Sequence, residues 1–107
     1  MATLRESVVN TINELHPLIN KDISEEEKNA VRSRLTVLYA QLEAIISQTI
    51  PNTTPGFDDA VTALESATNE AKQAKKDTDK VATTIKKTAE AINKIEKIIK
   101  IGVQLVA

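Results

Sequence analysis

No cysteine occurs among the 107 residues, which removes disulfides, thiolate metal sites, thiol nucleophiles and redox switches together. Tryptophan is absent as well, and Tyr39 and Phe57 are the only aromatics. Two glycines and three prolines leave few breakpoints, so the repeated turns of a β-sandwich or barrel are not available. There is no Gly-rich phosphate loop and no His-Glu-x-x-His pair. No stretch reaches the roughly 18 to 20 apolar residues of a spanning helix. The opening Met1-Ala2-Thr3-Leu4-Arg5-Glu6-Ser7 lacks the basic and apolar regions of a secretion signal. The expectation is a cytoplasmic all-α chain, not an enzyme, with no cofactor, metal or small-molecule substrate.

The chain is rich in Ala, Ile, Leu and Val, and their spacing organises it. Steps of three and four residues from Phe57 pass through Ala60, Leu64, Ala67, Ala71, Ala74, Thr78, Val81, Ile85, Thr88, Ile92 and Ile95 to Ile99. None of these positions is charged, although Lys, Asp and Glu crowd between them. A seven-residue repeat held this long keeps one stripe on one helix face. The phase passes through Asp77-Thr78-Asp79, where poor helix formers gather, so the reading is one helix over 57–101. Its length would be roughly 65 Å. Such a stripe needs a covering surface in water. Gly102 is expected to end the helix and leave a tail from Val103.

Ahead of it, Thr3 with Glu6 forms a capping pair for a helix over 3–15 that carries Leu4, Val8, Ile12 and Leu15 on one face. Pro17 limits it, so His16 to Asp22 reads as a connection. Ser24 with Glu27 is the clearest cap in the chain, and Glu25 and Glu26 add negative charge at the helix N-terminus. A second helix over about 24–49 follows, with Val31, Leu35, Leu38, Leu42, Ile45 and Thr49 in one row. Tyr39, Ile46 and Ile50 widen that row on one side, and Val37 and Ala44 on the other. A stripe so broad touches more than one neighbour. The loop over 50–56, with Pro51, Pro55 and Gly56, is short enough to favour an antiparallel hairpin of the second helix with the long one.

Candidate chemistry is sparse. His16 has no nucleophile or carboxylate pattern around it. Asp22, Glu25, Glu26 and Glu27 lack the alternating ligands and glycine of a calcium loop. Asn52-Thr53-Thr54 matches a glycosylation sequon, which carries no weight without a secretion signal. Residues 72–107 hold nine Lys against four Asp/Glu, whereas residues 1–71 hold five Lys/Arg against eleven Asp/Glu. The two halves can neutralise each other. No arginine or aromatic accompanies Lys72, Lys75, Lys76, Lys80, Lys86, Lys87, Lys94, Lys97 and Lys100, so specific nucleic-acid reading is not expected. The turn also lacks the Trp-x-Gly of the small secreted helical-hairpin proteins.

The resulting expectation is an all-α, coiled-coil-like three-helix bundle forming a single domain over 1–107. A second helix of this length covers only part of the long one, so the isoleucines beyond Val81 need cover from the first helix or from a second copy, and stay exposed if the first helix folds back. Val81, Ile85, Ile92, Ile95, Ile98, Ile99 and Ile101 then form an interaction face, for homo-oligomerisation or for a partner helix. A second reading places that face, with its flanking lysines, shallowly in an anionic bilayer.

Overall fold

The structure, a computed structural model, describes residues 3–48 and 50–106, with side chains described as far as Ile101. Every regular element among them is helical. Four α-helices form: α1 (Leu4–Leu15), α2 (Glu25–Gln48), α3 (Phe57–Ala74) and α4 (Val81–Val106). Short 3-10 turns at His16–Asn20 and Thr78–Lys80 precede α2 and α4. Thr49, where the spacing ends the second helix, lies outside the described residues.

Local chemistry accounts for most of the ends. Thr3 Oγ1 accepts from the Glu6 amide at 3.0 Å and starts α1. Ser24 Oγ accepts from the Glu27 amide at 3.1 Å, and Glu27 reaches back to the Ser24 amide at 3.4 Å. That is the reciprocal capping box. Pro17 sits in the first turn of the 3-10 segment, where its missing donor costs nothing. Leu18 in that segment is fully buried, so the connection contributes to the core. Gly56 precedes α3 at φ +86°, a left-handed conformation that side chains with a Cβ resist. A Cβ there would meet Ile98 at an ordinary 3.8 Å. The backbone angle, rather than space, demands glycine.

The main correction concerns the single helix expected over 57–101. It breaks after Ala74 and resumes at Val81. Asp77 adopts an extended backbone, φ −140° and ψ 99°, and its carboxylate accepts from the Asp79 amide at 3.1 Å. Short polar side chains compete in this way with helical hydrogen bonds. The break turns α4 back along α3. Lys80 donates to Gln73 at 2.7 Å, Lys87 donates to Ser66 at 3.1 Å, and Ile98 lies over Gly56. This descending register means an antiparallel pair. The molecule is consequently 45 Å long, well short of the rod that one helix would make. A further correction is that Gly102 does not end the last helix, whose backbone continues to Val106.

The remaining pairings complete a ring. Thr11 bonds to Leu64 and Thr68, and Glu14 to Lys75, so α1 runs parallel to α3. The short 3-10 connection makes α2 antiparallel to α1. Gln41 of α2 donates to the Ile92 carbonyl of α4 at 3.0 Å. Around the bundle the order is α1, α2, α4, α3. The hairpin expected between the second helix and the helix after the proline loop does not form. Those two, α2 and α3, lie across a diagonal, and α2 pairs with α4 instead. The core between the helices holds Leu4, Val8, Leu15, Leu18, Val31, Leu38, Leu64, Val81, Ile95 and Ile98, with Ala60, Ala71, Ala74 and Ala91 where backbones approach closely.

One polar pin crosses this core. The Thr11 hydroxyl is buried, 2.9 Å from the Thr68 hydroxyl and from the Ser7 carbonyl of its own helix and 3.3 Å from the Leu64 carbonyl. Its single proton goes to one carbonyl at a time, and the Thr68 hydroxyl donates to it. Removing one hydroxyl strands its partner, at a cost of about 1–3 kcal/mol, whereas removing both need not. Thr11→Val is therefore expected to destabilise by that amount, with Thr11→Val/Thr68→Val costing less than the two single changes summed. A urea-unfolding double-mutant cycle measures this. Simple additivity would show that the pin contributes nothing.

Candidate functional site

The isoleucine face singled out by the sequence is where the structure departs furthest from expectation. Val81, Ile95 and Ile98 are fully buried, and Ile85, Ile92 and Ile99 are partly buried against the same core. Ile101 is half-buried. The face expected to need cover is thus the internal seam of the bundle. The physical reason is the break at Asp77, which lets α4 fold onto α3 with α2 on its other flank. Helical geometry separates the two flanks. Thr84, Ala91 and Ile98 lie on the side of Lys87, facing α3, and Ile85 and Ile92 lie on the side facing α2. Spacing alone ranked Ile85 and Ile92 above Thr84 and Ala91, yet the smaller residues are the more deeply buried. They face a helix whose own core row is largely alanine, and small residues on both sides allow the two backbones to approach.

The polar candidates are occupied with structure. His16 is exposed in the 3-10 turn. Asp77 caps the bend and Glu27 caps α2. No group of three His, Cys, Asp or Glu that could hold a metal occurs among the described residues. The lysines do not share one face. Lys75 pairs with Glu14 at 2.8 Å, Lys80 reaches Gln73 and Lys87 reaches Ser66, while Lys86, Lys94, Lys97 and Lys100 stand exposed. No described helix is long and apolar enough to cross a membrane. With its isoleucines turned inward, α4 presents mainly polar residues outward in this arrangement.

Two surface features emerge only from the fold. The first is apolar. Tyr39 and Ile46 of α2 are about half exposed, at 50% and 51%. An open groove beside them is lined by Leu4, Ile45, Ile50 and Phe57, with Arg5 and Asn52 at its margin. The sequence signal was the excess breadth of the α2 stripe, which exceeds what α1 and α4 cover. The second is a polar groove between α1 and α3, lined by Ser7, Asn10, Glu65, Thr68, Asn69 and Lys72. Ser7 Oγ is buried there without a protein partner. Nothing in the spacing signals this groove, because α1 and α3 are neighbours only through the ring order.

No family model, no curated protein and no solved structure matches the chain. The reading of function rests on the residues themselves.

The two apolar surfaces separate by stability. Ile95→Ala opens a cavity in a fully buried site and is expected to cost about 2–5 kcal/mol. Ile46→Ala, on the exposed flank of α2, should stay within about 0.5 kcal/mol. Urea titration followed by far-ultraviolet circular dichroism measures both. Equal costs would contradict the assignment of Ile95 to the core.

Proposed function

We propose that the chain is a non-enzymatic helical interaction module that pairs with another helix, a second copy of itself, through the apolar face of its C-terminal helix, which the closed bundle buries and which must leave its own bundle to do so. One observation supports this reading above the rest. The seam of α3, ending in Ala67, Ala71 and Ala74, and the seam of α4, beginning at Val81, lie seven residues apart across the bend and keep a common phase. A bundle does not need that agreement, because each helix can rotate separately once a break divides them. A helix that also pairs in extended form does need it. The neighbouring positive and negative surfaces, Lys86, Lys94 and Lys97 on α4 and Glu25, Glu26 and Glu43 on α2, are all exposed. They would favour an acidic surface opposite α4, with electrostatics setting orientation more than affinity.

Light scattering across a range of protein concentrations tests this. The expected result is a rise from the 11.7 kDa of one chain to twice that mass as concentration increases. The variant Tyr39→Asp/Ile46→Asp, which alters only exposed positions on α2, should associate as the parent does. One-chain mass at every concentration overturns self-association. Loss of association in the α2 variant would transfer the contact from α4 to the exposed flank of α2.

A further inference from the structure

We infer that two copies of this chain exchange their C-terminal helices by straightening the bend at residues 75–80, so that α3 and α4 of each chain become one helix and each α4 occupies its partner's bundle. This rests on the reading of a self-associating module given above and supplies its route. The composition of the bend permits this. No Gly or Pro lies between Lys75 and Lys80, so nothing there forbids helix. Lys75 and Val81 at its edges already have right-handed helical angles. Asp77 is the extended residue between them.

Thr78 is the odd member of the repeat. Of the thirteen positions in the repeat from Phe57 to Ile99, Thr78 alone is exposed; the other twelve are buried or half-buried. In the folded-back chain it serves no core. In a straight helix the same residue falls on the seam between Ala74 and Val81, where a second chain crossing antiparallel would present its own Thr78. Straightening also brings opposite charges to helical spacing, Asp77 with Lys80 and Asp79 with Lys75 and Lys76, pairs that support a helix modestly.

Few contacts hold the bend closed. The Asp77–Asp79 cap and the Lys80–Gln73 bond are both exposed. The Asp77 amide already bonds to the Gln73 carbonyl four residues back, as in a helix, and the three-residue bonds from Lys76 to Gln73 and from Lys80 to Asp77 would be replaced by helical ones. The slot vacated by α4, between α2 and α3, is lined for Val81, Thr84, Thr88, Ala91, Ile95 and Ile98. A second copy of α4 fills it with identical contacts. Exchange therefore conserves the packing outside the bend and sets the bend against the entropy of association, the usual balance in domain swapping.

Three chains test this. Thr78→Pro suits the closed form, since proline fits the first position of a helical turn and the residue before it is already extended, and it obstructs the straight helix. Asp77→Ala/Thr78→Leu removes the cap and restores the seam. Each, with the parent, is measured by light scattering. Each is then given Ser66→Cys and Lys87→Cys and joined by a short flexible bis-maleimide, circular dichroism confirming that helicity persists. These two positions touch within one chain when closed and between two chains when exchanged. The expected result is one-chain mass and bridges within the chain for Thr78→Pro. For Asp77→Ala/Thr78→Leu, doubled mass and bridges that survive denaturation as a covalent dimer are expected.

Doubled mass with bridges confined to one chain would overturn exchange while leaving self-association in place. One-chain mass for Asp77→Ala/Thr78→Leu at every concentration would overturn exchange as well. The parent chain's own mass, read separately, decides the wider proposal. A doubled mass for Thr78→Pro equal to that of the parent would also overturn the inference, because it would show that association does not need the bend to open.

Discussion

Covering the apolar stripe of α4 is the constraint on which the rest of the architecture depends. A 26-residue helix bearing Val81, Ile85, Ile92, Ile95, Ile98 and Ile99 is the largest apolar element in a chain with almost no aromatic residues. The chain meets the constraint by breaking its own long repeat and folding the second half against the first. The alanines of α3 make this possible. Ala60, Ala67, Ala71 and Ala74 are all fully buried, and a row this small lets α4 lie close enough to α3 for dispersion to act along their contact. The proline-rich loop crosses the diagonal from α2 to α3, leaving α2 beside α4 and α1 beside α3.

With few large side chains to interlock, the register between helices is held by polar pins. Thr11 joins α1 to the Leu64 carbonyl and Thr68 of α3, Glu14 and Lys75 close the same pair at its other end, and Gln41 joins α2 to the Ile92 carbonyl of α4. Each pin is a directional contact within a seam that sliding by one turn would leave nearly as apolar. That is the circumstance in which a buried polar group adds specificity more than stability. Gln41 also reaches Glu96 at 3.3 Å, and its own carbonyl oxygen is buried without a protein partner. The pin is therefore made at some cost, which fits a role in fixing register.

The legible parts of this fold are those decided within one turn of chain. The all-helical class follows from spacing and from the scarcity of Gly and Pro. The Thr3–Glu6 and Ser24–Glu27 caps form as their residues allow. The bend was visible as a weakness at Asp77-Thr78-Asp79, but its outcome was not. Propensity there costs only a fraction of a kcal/mol per residue, and the decision fell to long-range burial of the isoleucines. Ring order was invisible for the same reason, since α1–α3 and α2–α4 adjacency depends on contacts more than fifty residues apart. The candidate face illustrates both sides. A straight helix leaves its residues in need of cover from elsewhere, and a bent one encloses them.

The bend explains why one sequence pattern suits two arrangements. A heptad repeat specifies which face of a helix is apolar, not which helix will meet it. When the same seam runs through a segment that is neither strongly helical nor strongly broken, its two halves can satisfy each other or be satisfied by a second copy. The choice then rests on a few exposed side chains. Here these are the Asp77 carboxylate, held by a single amide, and Thr78, which has the right phase but no place in the folded-back core. Residues with so little structural work in one arrangement and a defined place in the other are where the balance between the two would be set.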